Sequence, residues 1–104
     1  MEDLKVIAEP RRQEILRLVW DRELSAGEIA AHFDVTFPAI SQHLGVLARS
    51  RFVSVRREGV RRLYRADHKR LGHLKRVLEA MWRANLADLA RLAEQAEGSK
   101  RSGR

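Results

Sequence analysis

Residues 25–49 read SAGEIAAHFDVTFPAISQHLGVLAR, and this stretch decides the fold. Ser25 and Glu28 form a capping box, in which a hydroxyl and a carboxylate each satisfy an orphan backbone N–H at a helix start. That helix extends to about Phe33, with Ile29 and Phe33 on one apolar side. Asp34-Val35 makes a turn of the short kind that joins two packed helices. Thr36 suits the N-cap of the next helix, Pro38 is tolerated in its first turn, and the helix runs to about Arg49. Ile40, Leu44 and Leu47 form its core stripe at the spacing of one helix face. The other surface carries Phe37, Ala39, Ser41, Gln42 and Gly45, short hydrogen-bonding and apolar groups with no acid, an unusual composition for a face that meets only solvent.

Toward the N-terminus, Leu4 to Ala8 reads as a short helix that Pro10 ends while opening a second helix, Pro10 to Asp21, with Ile15, Leu16, Leu18 and Val19 on its buried face. Toward the C-terminus the period changes. Val53 and Val55 alternate with Ser54 and Arg56, Glu58-Gly59 supplies a turn, and Leu63-Tyr64 suit a returning strand. The result is a β-hairpin with Arg56, Arg57, Arg61 and Arg62 around its tip. A single long helix follows from Lys69 to Ala96, with Leu71, Leu74, Leu78, Met81, Trp82, Leu86, Leu89 and Ala93 at spacings of three and four. At 1.5 Å per residue it would be on the order of 40 Å long, more than a domain of this size covers with its own core, so part of its stripe is expected to face a second subunit. Met81 and Trp82 could also line a ligand pocket.

The 104 residues, 44% hydrophobic and 34% charged, suit one core in one domain over 1–97, with a disordered basic tail over 98–104. Without cysteine there is no disulfide framework, thiolate zinc site or cysteine nucleophile, and a reducing cytoplasmic setting is expected. The polar N-terminus and the lack of a long apolar run predict neither export nor a membrane partner. The net charge of +7 is concentrated: residues 49–76 hold eleven bases against two acids, or +9, which leaves −2 for the rest. A segment holding more than the whole excess points to a polyanionic partner, nucleic acid.

The fold class is therefore mainly α with a small β-hairpin, in the order α-α-α-α-β-β-α of a winged helix-turn-helix domain. In such a domain the second helix of the pair enters the major groove and the hairpin, or wing, reaches the flanking backbone. Gln42 can pair bidentately with adenine, Ser41 can serve several bases, and the wing arginines suit phosphates.

Several segments together resemble the ArsR/SmtB family of bacterial transcriptional regulators. They are Leu4 to Arg12 (LKVIAEPRR), Ile15-Leu16, Leu24 to Ala30 (LSAGEIA), Ile40 to Leu44 (ISQHL) with Val46-Leu47, and Arg56-Arg57-Glu58-Gly59 followed by Tyr64. The resemblance spans about residues 4–95. It implies a homodimeric repressor that binds an imperfect inverted repeat in double-stranded DNA near its own or a neighbouring operon. The family usually responds to an inducer, but the subgroup this chain most resembles lacks the metal sites. The leading reading is an autorepressor without a known ligand, a small-molecule inducer of unknown chemistry being the alternative. The resemblance assigns DNA contacts to Thr36, Phe37, Pro38, Ala39, Ser41, Gln42, His43, Arg49, Arg56, Arg57, Arg61 and Arg62, and a dimer seam to Leu4, Ile7, Leu74, Leu78, Met81, Trp82, Leu86 and Leu89.

The family's metal sensors place thiolates where this chain has Ser25 and Gly27. Their second type uses an Asp-x-His and a His-x-x-Glu pair, whereas Asp67 is followed by His68 and Lys69, and His73 by Arg76. No metal site and no cofactor are expected. His68 and His73 lie about 140° apart around one helix and cannot share a chelating face, though single histidines of two subunits could meet. His43 suits either a phosphate contact or packing, and His32 a helix surface. Arg51 stands where many relatives have glycine, so the recognition helix should end without the easy left-handed residue. Phe37 can touch a thymine methyl or pack under the turn. No constellation of catalytic groups is apparent, and the competing reading is a winged-helix module that binds protein or RNA.

Overall fold

The computed structural model describes residues 2–102; Met1 and the last two positions of the expected tail, Gly103 and Arg104, lie outside the described residues. The elements are α1 (Glu2–Ala8), α2 (Pro10–Leu18), β1 (Leu24–Ser25), α3 (Ala26–Ala30), α4 (Phe37–Arg49), β2 (Val53–Glu58), β3 (Arg61–Ala66), α5 (His68–Leu71) and α6 (His73–Ser102). Two units divide at Gly72: the first ends at Leu71 and the second is α6.

The local signals act as expected where they are short-range. Ser25 Oγ accepts from Glu28 N (3.2 Å) while Glu28 Oε1 accepts from Ser25 N (2.9 Å), so the capping box is complete. Thr36 Oγ1 accepts from Ala39 N at 3.3 Å, and α4 ends at Arg49. Ile15, Leu16, Ile29, Ile40, Leu44 and Leu47 are all buried, and they join the three helices into one core.

Boundaries that depend on distant partners differ from expectation. α2 stops at Leu18, not Asp21, because the Val19 carbonyl accepts from Ala66 N (2.9 Å) and is drawn toward the sheet. α3 stops at Ala30, not Phe33: His32 N bonds Ile29 O and Phe33 N bonds Ala30 O, a tightened turn that replaces the regular ladder. β1 was not anticipated. Two residues show no alternation, yet Leu24 pairs with Tyr64 and Ser25 with Leu63, making β3 the centre of a three-stranded antiparallel sheet. The hairpin closes one residue later than expected. Glu58 pairs with Arg61, so Gly59 and Val60 form the loop, with Gly59 (φ 62°) in the glycine-requiring first position of a II′ turn. Val53 is buried but Val55 is exposed.

The long C-terminal helix is broken. α5 ends at Leu71, before Gly72, whose φ of 55° no continuous helix allows, and Lys75 N then bonds Gly72 O at the start of α6. α6 runs past Ala96 to Ser102, so the expected tail is helical through that point. No proline interrupts it between Ala96 and Ser102, and one interior glycine, Gly98, costs a helix only about 1 kcal/mol. Among the described residues no helix is long and apolar enough to cross a membrane.

α4 ends in a Schellman motif: Arg51 N bonds Ala48 O (3.1 Å) and Phe52 N bonds Leu47 O (3.0 Å). The residue in the left-handed position is Arg51 itself, with φ 65°. The helix is thus capped without glycine, and the left-handed position is carried by a residue with a Cβ, at a cost that glycine would not bear. Arg51→Gly should raise unfolding stability by roughly 1 kcal/mol in urea titrations, the relieved strain exceeding the entropy of the added glycine. An unchanged or lower midpoint would show that the Arg51 side chain compensates for its backbone.

Candidate nucleic-acid interface

On α4 the side opposite the core stripe presents Phe37, Pro38, Ser41 and Gln42 exposed and Ala39 half-buried, with the capping Thr36 at its start. Phe37 leaves 52% of its surface open, so it does not pack under the turn. Arg49 is exposed at the other end, and its Nη1 would lie 3.2 Å from a Cβ at position 45, so bare Gly45 leaves room for the guanidinium. Phe37, Ser41, Ser25, Arg61, Arg62 and Tyr64 line a groove between α4, the start of α3 and the wing.

The four wing arginines are not equivalent. Arg56 donates from Nε and Nη2 to both carboxylate oxygens of Glu23, each at 2.9 Å, and Nη2 also reaches Glu58 at 3.3 Å. Arg61 Nη2 donates to Glu28 Oε1 at 2.9 Å, and its Nη1 lies 3.9 Å from Glu58. The hydrogen bond from Arg56 holds the Glu23 carboxyl below the usual carboxylate range, and Glu23 in turn pushes Arg56 up. The backbone N–H of Ser25, then its hydroxyl, lead in lowering Glu28, with Arg61 adding to them. Arg57 and Arg62 are exposed partners directly across β2 and β3, with no acid beside either among the described residues. Sequence patterning put all four in one class; the acids that separate them, Glu23 and Glu28, lie 33 residues away in the chain.

His43 is turned from the exposed face toward α2. Arg12 Nη1 donates toward its Nδ1 at 3.3 Å, and Glu9 Oε2 is 3.7 Å away. Arg12 Nε also donates to Val6 O (2.8 Å) and Gln13 Nε2 to Ile7 O (2.7 Å), satisfying carbonyls that the end of α1 leaves open. Burial acts to raise the Glu9 pKa, but the N–H groups of Arg12 and Arg11 and the charges of His43 and Arg12 outweigh it and hold the carboxyl low. The Glu9-Pro10-Arg11-Arg12 stretch thus ties α1 and α2 to the exposed helix.

The other histidines divide similarly. His68 Nε2 donates to Trp20 O at 2.6 Å and its ring meets the Trp20 edge-on at 4.4 Å, pinning the start of α5 to the end of α2. His32 is exposed, and His73 belongs to a different helix from His68. Among the described residues no group of three or more His, Cys, Asp or Glu is placed to hold a metal ion.

Of the expected seam residues, Leu4, Leu86 and Leu89 are exposed, Leu74, Met81 and Trp82 half-buried. Ile7 and Leu78 are already buried within one chain, at 6% and 1% exposure, and have little area left to offer a partner. Leu92, absent from that expectation, is 61% exposed. It shares with Leu74, Met81, Trp82, Leu86 and Leu89 one arc of about 140° at 100° per residue.

A helical pair with an exposed acid-free second helix, followed by a two-stranded basic wing, defines a winged helix-turn-helix domain of the transcriptional-regulator class. Residues 9–55 match the family described as bacterial regulatory protein, arsR family. The HTH-type transcriptional regulator Rv2034 of Mycobacterium tuberculosis is 34% identical over 90 residues, covering 86% of this chain and 84% of that protein. The arsenical resistance operon repressor of Staphylococcus xylosus is 33% identical, with 73% of each chain covered. Among solved structures, a possible transcriptional regulator for arsenical resistance superimposes with a TM-score of 0.67 at 35% identity, covering 88% of this chain and 95% of that one. The homodimeric winged helix-turn-helix DNA-binding domain Mb0332 from Mycobacterium bovis gives 0.65 at 28% identity, covering 74% and 71%. The chain belongs to the ArsR family of bacterial regulatory proteins.

Proposed function

We propose that the protein is a homodimeric transcriptional repressor that binds an inverted-repeat operator, with α4 in the major groove of each half-site and the wing along the flanking backbone. The observation that carries this reading is the exposed, acid-free face of α4 beside a wing whose Arg57 and Arg62 face each other with no ion-pair partner among the described residues. Ser41 and Gln42 read bases, Phe37 supplies an apolar edge suited to a thymine methyl, and Arg49 reaches backbone. His43 leaves the contact set and acts as the tether of α4 to α2, because its ring is engaged by Arg12 and Glu9. The dimer forms through α1 and α6, with Leu4, Leu86, Leu89 and Leu92 as the apolar area to be covered. Covering these side chains stabilises association by an amount that scales with the apolar area removed from water.

Binding should be tested on an operator selected from genomic fragments, beginning with the DNA upstream of the protein's own coding sequence. Gln42→Ala should cost about 1–3 kcal/mol per half-site and relax preference at one base position, with binding to scrambled duplex and its salt dependence nearly unchanged. Isotherms on both duplexes check this. Equal losses on operator and scrambled DNA would mean that α4 does not read bases, and binding to neither duplex by the unsubstituted protein would favour a module for protein or RNA.

A further inference from the structure

The wing carries two arrangements of charge on its two faces. On one face an unbroken alternation runs Glu23, Arg56, Glu58, Arg61, Glu28, with successive contacts of 2.9, 3.3, 3.9 and 2.9 Å. It starts in the segment before β1, crosses the hairpin near its tip and ends on the carboxylate that caps α3. On the other face, in register with Val55 and Tyr64, Arg57 stands directly opposite Arg62. Like charges directly opposed across two strands are destabilising, so this pair works against the hairpin until an anion lies between the guanidiniums. Arg62, like Arg61, lines the groove shared with Phe37 and Ser41 of α4, but Arg61 is already held by Glu28, which leaves Arg62 as the groove arginine open to an anion.

We propose that Arg57 and Arg62 form a two-guanidinium clamp for a single DNA backbone phosphate, while Arg56 and Arg61 are positioning residues that lock the wing to the helix-turn-helix through Glu23 and Glu28. This rests on the DNA-binding reading above, and it divides the four wing arginines between two tasks. Arg56 has its Nε and Nη2 donors committed to Glu23 and Glu58, so only its Nη1 edge is open and its charge is already matched by carboxylates. Exposed pairs taken singly contribute little, but here five linked charges hold one short hairpin at one angle.

The test uses the full chain and a random-sequence duplex long enough for one dimer, with isotherms over a salt series. Arg57→Gln or Arg62→Gln alone should weaken binding but leave the slope of log K against log salt nearly unchanged, since one guanidinium still neutralises the phosphate. The double variant should lower that slope by about 0.9 per subunit. Two separate phosphates would instead give that loss for each single variant and overturn the clamp. Arg56→Gln and Arg61→Gln should reduce affinity with the slope intact; a slope loss equal to that of the clamp variant would make them phosphate contacts and overturn the division.

Glu23→Gln gives opposite signs for the two accounts. Removing an acid beside DNA strengthens binding on charge alone, whereas loss of the wing lock should weaken it about threefold, the scale of one exposed ion pair. The swap of Glu23→Arg with Arg56→Glu should restore affinity if the pair positions the wing. Tighter binding by Glu23→Gln, or failure of the swap, would overturn the positioning role. Absence of duplex binding by the unsubstituted protein would instead remove the DNA-binding reading on which both rest.

Discussion

Replacing Phe52 with alanine is expected to cost the folded state about 3–5 kcal/mol, the usual range for truncating a buried aromatic. Phe52 is fully buried, and its place is over-determined. Its N–H closes the Schellman motif on Leu47, its carbonyl accepts from Asp67 N at 2.8 Å, and the Arg70 guanidinium lies 4.8 Å over its ring. Arg70 in turn pairs with Asp3 of α1 at 3.2 Å, so the ring sits under a link between the first helix and α5. Against a total stability of about 5–15 kcal/mol, such a loss brings the chain close to unfolding at ambient temperature. Denaturant titration at fixed protomer concentration measures it, since dimerisation makes stability concentration-dependent. Phe52→Leu, which keeps most of the volume, should recover more than half of the loss. A cost under about 1 kcal/mol for the alanine variant would mean that the neighbours collapse into the space and that this corner is not tightly packed.

The second large effect concerns assembly. Leu86 and Leu89 are 53% and 63% exposed on α6, and Leu92 is 61% exposed on the same arc. Leu86→Glu with Leu89→Glu puts two charges into the proposed apolar seam, and desolvating them opposes association. Sedimentation at micromolar concentration should show the unsubstituted protein as a dimer and the variant as a monomer. Because the proposed dimer holds two half-sites about one helical turn apart, losing the second contact should lower operator affinity by about 10²–10⁴-fold. Binding of one isolated half-site should be little changed. A variant that remained dimeric would place the seam elsewhere, and a monomer that bound the full operator undiminished would remove symmetry from the mechanism.

Much of the head was legible in the chain because its signals are short-range. A capping box closes over three residues, the Thr36 cap reaches Ala39, and the stripe Ile40, Leu44, Leu47 follows from helical pitch. The basic hairpin was visible through its alternation and its glycine. Arg51 shows the limit of such reading: the glycine was missing from its usual place, but the left-handed turn persisted because Phe52 and Leu47 are both buried and their backbone bond requires it.

By itself the sequence determined the starts of α2, α3 and α4, the core stripe of α4, the wing and its basic charge, since each depends on residues within a few positions of one another. Only the tertiary structure decided where α2 ends, that two residues become β1, that the last helix breaks at Gly72, which way His43 turns, and which wing arginines are already engaged. The physical reason is common to most of them. A carbonyl at Val19, a free strand edge at β3 and a carboxylate at Glu23 or Glu28 are satisfied by groups far along the chain, and such pairings exist only once folding has brought them within hydrogen-bonding distance.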